Sequence, residues 1–260
     1  MEALLSYQSV EVSFNGQAVT HDVSFSLHAG EILGIVGESG SGKSTLLKAA
    51  MGLLGSSGMV TRGDILFGGK NLPDLTESEL RSVCGAQIGM IFQDSGAFLC
   101  PIRTIGAQIY ESMSAHMEIT KEQAKDKALA LFEKLQFKIG QRIWDSYPFE
   151  LSGGMNQRAG IAIAMLMEPK VLLADEPTSA LDMAVQKQVV EEMLRLRELF
   201  GTAIILVTHD IGVVSAMADT VLVLKQGQVM EYGKAAKVLQ TPQNDYTRQL
   251  LAAVPRLRRA

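Results

Sequence analysis

The segment GESGSGKST, from Gly37 to Thr45, contains the residues whose types and spacing point most directly to chemistry. It matches the pattern G-x-x-x-x-G-K-[ST] in full, and its glycines let the backbone wrap around a polyphosphate with successive amide N–H groups pointing inward. The Lys43 ammonium would meet the β- and γ-phosphates, and the Ser44 hydroxyl can ligate Mg²⁺. We therefore predict that a nucleoside triphosphate and Mg²⁺ bind at Gly37, Ser39, Gly40, Ser41, Gly42, Lys43, Ser44 and Thr45.

This loop has a less specific interpretation, in which a glycine-rich turn merely joins a strand to a helix. The apolar run before it, the helix predicted after it and the Lys-Ser pair argue against that interpretation. A helix starting here would also direct the positive end of its dipole at the bound anion. Kinases, GTPases and motors share the pattern, so the loop alone does not select a reaction.

Two carboxylates follow a second apolar run, VLLA, which leads directly into Asp175 and Glu176. In open α/β sheets, ligands bind at the carboxyl ends of the strands, where this pair is expected to lie. Asp175 is predicted to hold Mg²⁺, directly or through water, and Glu176 to polarise the attacking water. A solvated turn with two charges is the alternative, but it would not need the apolar run. The order Asp then Glu favours hydrolysis over transfer to a bound acceptor.

A second anion-binding helix terminus is predicted in the motif LSGGM, from Leu151 to Met155. Ser152 is a plausible N-cap, and the helix that follows would offer its first amides and its dipole to an anion. Alone, the tetrapeptide could equally be a flexible Ser-Gly-Gly hinge. Because the chain already has one phosphate loop, the second site would take the nucleotide of another copy or partner.

These motifs together resemble those of the ABC ATPases, with LSGGM as the signature, GESGSGKST as the Walker A and VLLADEP as the Walker B motif. The resemblance extends from about Val10 to Pro255. It implies a RecA-like α/β P-loop NTPase core with an antiparallel β subdomain and a helical subdomain that carries the signature. It also implies a head-to-tail dimer that holds two ATP, each bound by one subunit's phosphate loop and by Ser152, Gly153 and Gly154 of the other.

The resemblance gives roles to further residues. Gln93, in IFQD, is similar to the Q-loop residue, which meets Mg²⁺ and the coupling segment of the membrane subunit. His209, in LVTHD, is similar to the switch histidine, which implies a hydrogen bond to the γ-phosphate. His209 also follows an apolar run and is therefore expected at a strand end, like Asp175 and Glu176. Without the resemblance, a lone histidine is more often a structural polar residue.

Two further assignments rest on the same resemblance. The segment from Ser179 to Asp182 is similar to the D-loop, which places Asp182 among the expected nucleotide-site residues. Phe14 stands 29 residues before Lys43, where the family keeps an aromatic ring stacked on adenine. A phenylalanine that alternates with valines in a strand is usually part of the core, so core packing is the alternative to adenine stacking for Phe14.

Within the family, the tail TPQNDYTRQLL resembles the "P-x-x-x-Y-T-x-x-L-L" ending of the dipeptide, oligopeptide and nickel importers. The segments DILFGGKNLPDLTESELR and MIFQD are similar to the same branch, and the chain resembles the first of two unlike ATPase subunits. Oligopeptide members often carry a C-terminal cysteine cluster, whereas no cysteine follows Cys100 in this sequence. We therefore expect no iron–sulfur centre. The resemblance implies an importer for peptides, nickel or metallophore complexes, and the missing cysteines favour the shorter nickel- or metallophore-type relatives without settling the cargo.

Other departures from this branch bear on the choice of partner. After the Q-loop the family often reads FQDP…SLNP, whereas this chain has Ser95 and then GAFLCP. That stretch lies beside the groove expected for the membrane subunit. Asn156 replaces the arginine usually seen after LSGGM, which changes a nearby charge and leaves the helix terminus intact.

Four short apolar runs, at residues 32–36, 171–174, 204–207 and 221–224, are predicted to be the buried strands that position these side chains. Alternating apolar residues up to Leu27 predict antiparallel strands. Helices are predicted at 77–84 and 121–137, with Ala124, Ala128, Leu131 and Leu135 on one stripe. Because no strong strand pattern occurs between residues 92 and 168, we expect a helical insertion there. The resemblance implies one ATPase domain over 1–260, with a helical subdomain at about 94–168 and an importer-type tail at about 236–260.

Composition limits the partners. The formal net charge of −4 argues against nucleic acid, and the two cysteines, Cys84 and Cys100, exclude a disulfide scaffold. The longest apolar run, AGIAIAMLM, is too short to span a bilayer. Any membrane association must therefore come through a protein partner, and the resemblance implies a peripheral protein on the cytoplasmic face of the membrane. Its expected partners are a second ABC ATPase subunit, identical or not, two transmembrane permease subunits and an extracytoplasmic solute-binding protein. The alternative is a soluble ABC ATPase that acts on ribosomes or in DNA repair.

Overall fold

The structure, a computed structural model, describes residues 2–137, 139–179 and 181–253. The strands are β1 (Leu5–Phe14), β2 (Gln17–Leu27), β3 (Ile32–Val36), β4 (Gly58–Phe67), β5 (Lys70–Asn71), β6 (Ile88–Ile91), β7 (Val171–Asp175), β8 (Ala203–Val207), β9 (Thr220–Lys225) and β10 (Gln228–Lys234). The helices are α1 (Lys43–Ala50), α2 (Glu77–Val83), α3 (Ser95–Phe98), α4 (Ile105–Ser114), α5 (Lys121–Lys134), α6 (Gly140–Asp145), α7 (Gly153–Met165), α8 (Met183–Phe200), α9 (Ile211–Met217), α10 (Ala235–Gln240) and α11 (Asp245–Ala252).

The described residues divide into two units, one within Met1–Thr76 and Ala203–Ala260 and the other within Glu77–Thr202. The first unit contains an antiparallel sheet in the order β2-β1-β4-β5. Strands β1 and β2 pair as the alternating pattern predicts, and the side chains of Val10, Val12, Val23, Phe25 and Leu27 are buried. A register shift lies between Tyr7 and Val10 and includes Ser9, whose φ of 51° is in the left-handed region. Phe14 at the strand end is only half-buried.

The first unit also contains parallel strands, of which β3 pairs with both β8 and β9. Strand β10 then pairs with β9 in the antiparallel direction. Every residue of β3 and β8 is buried, as expected for strands that pack on both faces. The predicted strands at residues 32–36, 204–207 and 221–224 are therefore confirmed, and the carboxyl ends of β3 and β8 lie at the same sheet edge.

The second unit combines the parallel pair β6 and β7 with helices α2 to α8. The fourth predicted strand, at 171–174, is confirmed as β7. No strand lies among the described residues between Phe92 and Glu168, as predicted. The predicted stripe of α5 is also buried, at Ala124, Ala128 and Leu131 and at the C-cap residue Leu135.

One predicted boundary is wrong, because α5 ends at Lys134 and does not continue to Phe137. Gln136 has a φ of 59°, in the left-handed region, which ends the helix. The chain then turns back so that the Phe137 N–H donates to the Phe132 carbonyl oxygen at 2.9 Å. The centres of the Phe132 and Phe137 rings lie 5.1 Å apart. Phe137 therefore packs against the end of α5 and does not extend the helix.

Within the described ranges, no helix has the length and apolar character needed to cross a membrane.

Candidate nucleotide-binding site

The phosphate loop begins where β3 ends, and its first residue must be a glycine. Gly37 has a φ of 156°, and a Cβ there would lie 2.0 Å from the Leu224 carbonyl oxygen of neighbouring β9. At the other end of the loop, Gly42 is the N-cap of α1 and supplies no side-chain cap, and the first turn of α1, all of it described, has no acidic residue. The first amides of α1 are therefore suited to an external anion.

Lys43 is buried, with only 5% of its surface exposed. Its Nζ donates to the carbonyl oxygens of Gly37, at 2.9 Å, and of Glu38, at 2.8 Å. These contacts hold the ammonium group of Lys43 against the phosphate loop. A buried cation needs negative partners, so the loop fits the phosphates of a nucleotide.

His209 follows β8 at the same sheet edge as the phosphate loop, because β3 and β8 are parallel neighbours. The register continues past the strand end, since the Thr208 N–H donates to the Ile35 carbonyl oxygen at 3.2 Å. The His209 side chain itself is exposed. Within the first unit, the structure thus brings together two of the predicted elements, the phosphate loop and the histidine.

Phe14 lies at the end of β1, opposite Gly58 of β4. A Cβ at Gly58 would lie 2.6 Å from Cε1 of the Phe14 ring, so the glycine makes room for that ring. Phe14 is half-buried rather than a core residue. The ring is therefore packed near Gly58 at Cε1, and part of the residue stays accessible.

In the second unit, the acidic pair and Gln93 share one sheet edge. Asp175 is the last residue of β7 and is only 7% exposed, whereas Gln93 follows β6 and is exposed. The two strands are parallel, with Ile91 opposite Ala174. Glu176 has a φ of 44°, a backbone conformation that costs a non-glycine residue on the order of 1 kcal/mol and is enriched at active sites.

The fit to Mg²⁺ can be judged from the ligand types. The described residues hold no group of three or more His, Cys, Asp or Glu side chains that could bind a metal by themselves. Mg²⁺ in nucleotide sites is usually held by one or two carboxylates together with substrate phosphates and water. Ligands of these types occur in each unit: the Ser44 hydroxyl in the first, and the Gln93 amide oxygen and the Asp175 carboxylate in the second.

The signature segment forms the start of α7, and Ser152 caps it as predicted: its Oγ accepts from the Met155 N–H at 3.3 Å. A Cβ at Gly153 would meet no atom of the described residues within 4 Å, so this position is open to that part of the chain. A Cβ at Gly154 would lie 2.6 Å from Cγ1 of Val185 in α8. The two glycines therefore differ in kind, since one faces open space and the other permits close helix packing.

Asp182, the last residue of the predicted D-loop, is the N-cap of α8. Its Oδ1 accepts from the N–H groups of Ala184 and Val185, each at 3.0 Å. Ala180, in the same motif, lies outside the described residues, as do Val254 and Pro255 of the tail. The carboxylate of Asp182 therefore caps α8, and this role does not depend on a nucleotide.

Sequence reasoning missed Gln157, which is buried with 4% exposure. Its Oε1 accepts from the Ser95 N–H at 3.2 Å, and its Nε2 donates to the Phe92 carbonyl oxygen at 3.4 Å. It therefore ties the signature helix to the segment on both sides of Gln93. Asn156 is fixed locally, because its Nδ2 donates to the Pro148 carbonyl oxygen at 2.9 Å.

Arg158 also has an unpredicted role as the partner of buried Glu192, to which its Nε donates. The Arg158 guanidinium lies 4.1 Å from the centre of the Phe137 ring. Burial raises the pKa of Glu192 to about 7, against the opposing charge of Arg158. The second carboxylate oxygen, Oε2, is buried and has no hydrogen-bond partner among the described residues.

The sequence is similar to known proteins over most of its length. The sequence model of the ABC transporter family matches residues 20–179. The oligopeptide transport ATP-binding protein OppD of Salmonella typhimurium is 43% identical over 258 residues, which cover 98% of this chain and 77% of that protein. The dipeptide transport ATP-binding protein DppD of Bacillus subtilis is 42% identical over 263 residues, which cover 99% of this chain and 78% of that protein.

Solved structures resemble the fold as well. The ATP-binding cassette MJ0796, solved as a dimer in a post-hydrolysis state with ADP and Pi, superposes with a TM-score of 0.77 at 27% identity, covering 89% of this chain and 98% of that one. CbiO1 from Clostridium perfringens, part of the ABC transporter complex cbiONQ, gives a TM-score of 0.79 at 25% identity, covering 98% and 97%. The predicted RecA-like P-loop NTPase fold is confirmed by these likenesses.

Proposed function

The chain belongs to the ABC transporter family and is an ATPase, and from this premise we propose that it energises the import of peptides. The observation that carries the proposal is its similarity over almost the whole chain to ATP-binding proteins named for oligopeptide and dipeptide transport. The tail motif TPQNDYTRQLL, noted in the sequence, supports the same branch.

The hydrolytic roles that we propose follow the chemistry of each side chain. The phosphate loop, from Gly37 to Thr45, binds the triphosphate, with Lys43 neutralising its charge. Ser44, Asp175 and Gln93 would hold Mg²⁺, which stabilises the negative charge that develops on the phosphates during hydrolysis. Glu176 accepts a proton from the attacking water, and His209 hydrogen-bonds the γ-phosphate.

We propose that two such ATPase subunits, identical or not, pair head to tail. In that dimer Ser152, Gly153 and Gly154 of one subunit would bind the ATP held by the other, since the start of α7 favours an anion. Asp182 would contribute to the same nucleotide site, and Phe14 would stack on adenine with its accessible face. The resemblance to a cassette solved as a dimer supports this arrangement.

The partners and cargo are part of the proposal. Two permease subunits and an extracytoplasmic solute-binding protein would complete the importer, with this chain peripheral on the cytoplasmic face. We favour peptides over nickel or metallophore complexes because the relatives described above are named for peptides. We also propose one ATPase domain over 1–260, with a helical subdomain at about 94–168 that holds α3 to α7 and an importer-type tail at about 236–260 that holds α11.

The alternative is an ABC ATPase that is not coupled to transport. One experiment separates the two: the chain is tagged in its host, membranes are solubilised in mild detergent, and co-purifying proteins are identified by mass spectrometry. Permeases and a solute-binding protein are expected, and ribosomal or repair proteins in their place would overturn the transport role. Reconstituted into vesicles, the complex should increase ATP hydrolysis with short peptides more than with Ni²⁺, and the opposite order would favour the metal cargo.

A further inference from the structure

The tail of the first unit is fastened to β10 by a small polar network. The Glu231 carboxylate accepts from the N–H groups of Gln243, at 2.9 Å, and of Asn244, at 3.2 Å. Asn244 in turn donates to the Met230 carbonyl oxygen at 3.1 Å and caps α11 by accepting from the Tyr246 N–H at 2.8 Å. These contacts fix the start of α11, and with it the direction of Tyr246.

Tyr246 is buried at the start of α11, with 7% of its surface exposed, as is its neighbour Thr247. Its hydroxyl oxygen accepts from the Glu38 N–H at 3.4 Å. Lys225 places its Nζ 4.4 Å from the centre of the ring. Burial raises the pKa of Tyr246, so the phenol remains neutral and can donate and accept at the same time.

Glu38 is the second residue of the phosphate loop, and its carbonyl oxygen accepts from Lys43 Nζ at 2.8 Å. Two consecutive contacts therefore connect the tail to the lysine: Tyr246 holds residue 38, and residue 38 holds Lys43. Glu38 itself is exposed, and within the loop its carbonyl oxygen also accepts from the Ser41 N–H at 3.2 Å. A loop that is ordered before ATP arrives loses less conformational entropy on binding.

We propose that Tyr246 is a positioning residue for ATP: through Glu38 it fixes the phosphate loop and thereby increases the affinity of the ATPase for nucleotide. The inference rests on the proposed placement of ATP at this loop. It gives the tail motif a physical role in the nucleotide site. Tyr246 touches neither ATP nor the reacting atoms, so it affects binding and leaves the hydrolytic step unchanged.

The test is Tyr246→Phe, which keeps the ring and its contact with Lys225 and removes only the hydroxyl. We expect the Kd and the KM for ATP to rise several-fold while kcat stays within twofold. The matched control is Tyr232→Phe in the same unit, whose hydroxyl donates to the Ser26 carbonyl oxygen at 3.1 Å, away from the loop. If both variants bind ATP like the wild type, or if Tyr246→Phe lowers only kcat, the proposal is wrong.

Two further variants separate this proposal from its premise and from general loss of structure. Lys43→Ala should abolish ATP binding, and normal binding by that variant would overturn the placement of ATP itself. Asn244→Ala removes the α11 cap and loosens the attachment of Tyr246, so it should raise the Kd for ATP in the same direction as Tyr246→Phe. An unchanged Kd in Asn244→Ala, at a Tm lower than that of the wild type, would contradict the role of the tail.

Discussion

Gln157, in the signature helix, and Ser95, which follows the Q-loop residue, are joined by a hydrogen bond of 3.2 Å from the Ser95 N–H to the Gln157 Oε1. Both residues are buried, so neither group can exchange this partner for water. The packing around the bond is equally close, because a Cβ at Gly160 would lie 2.5 Å from the Ser95 Oγ. Movement of the segment at Gln93 must therefore disturb this contact with α7 or carry α7 along.

Replacing Gln157 with leucine tests that contact. The change leaves the Ser95 N–H buried without an acceptor, which should lower the free energy of unfolding by about 1–3 kcal/mol. Denaturant unfolding measures this loss. Gln188→Leu is the matched control, since Gln188 is exposed on α8 and should tolerate the change. If Gln157→Leu and Gln188→Leu have the same free energy of unfolding, the Gln157 side-chain amide contributes nothing to stability.

The role of Glu176 is tested by Glu176→Gln. Without the carboxylate the attacking water loses its proton acceptor, and ATP turnover should fall about a hundredfold or more. Binding of ATP should be retained, because the phosphate loop is unchanged, and an ATP-bound dimer should accumulate. Phosphate release, a fluorescent ATP analogue and size-exclusion chromatography measure the three effects. Glu198→Gln, at an exposed position of α8, should behave like the wild type. Hydrolysis at the wild-type rate by Glu176→Gln would exclude it as the base.

The apolar runs that predicted the parallel strands correctly share one physical cause, burial on both faces. Strands β3, β7 and β8 are buried along their whole length, and in β7 the apolar run is unbroken up to Asp175 at its end. Ser152 was recognisable because a cap is a local feature, set by residues within one turn. Strand β4 gave no such signal: most of its residues are at least partly exposed, and its sequence GMVTRGDILF mixes charges with glycine.

Contacts between distant parts of the chain could not be predicted from spacing. Gln157 lies in a polar stretch, and only the fold reveals that its Oε1 accepts from the N–H of Ser95, 62 positions away. The same holds for Tyr246 and Glu38, which are 208 positions apart. The motif that contains Tyr246 was evident as a family marker, but its contact with the phosphate loop depends on how α11 is attached to β10.

Glu192 should make stability depend on pH. Its pKa is raised to about 7 in the folded state, mainly by burial, from an unfolded value of about 4.3. Below pH 4 the group is protonated in both states. As the pH rises from about 4 to 7, the unfolded chain loses its proton first, so the free energy of unfolding falls by about 2–3 kcal/mol.

Comparing the unfolding of Glu192→Gln and the wild type at several pH values isolates this effect, because the amide cannot ionise and still offers Arg158 an acceptor. The variant should gain stability relative to the wild type between pH 5 and pH 8. Glu191→Gln provides the control at an exposed neighbour that is paired with Lys187. Parallel pH profiles of the wild type and Glu192→Gln would contradict the raised pKa.

The two signature glycines should respond differently to alanine. At Gly154 the new Cβ would collide with Val185, so Gly154→Ala should lower the free energy of unfolding by about 1–3 kcal/mol, and adding Val185→Ala should restore it. At Gly153 the Cβ meets nothing, and alanine favours a helix, so Gly153→Ala should fold at least as stably as the wild type. If α7 binds a partner subunit's ATP, however, the methyl group added by Gly153→Ala occupies the space that a phosphate of this ATP needs, and ATP hydrolysis should drop sharply. A stable Gly153→Ala protein with full ATPase activity would exclude close approach of a nucleotide to this glycine.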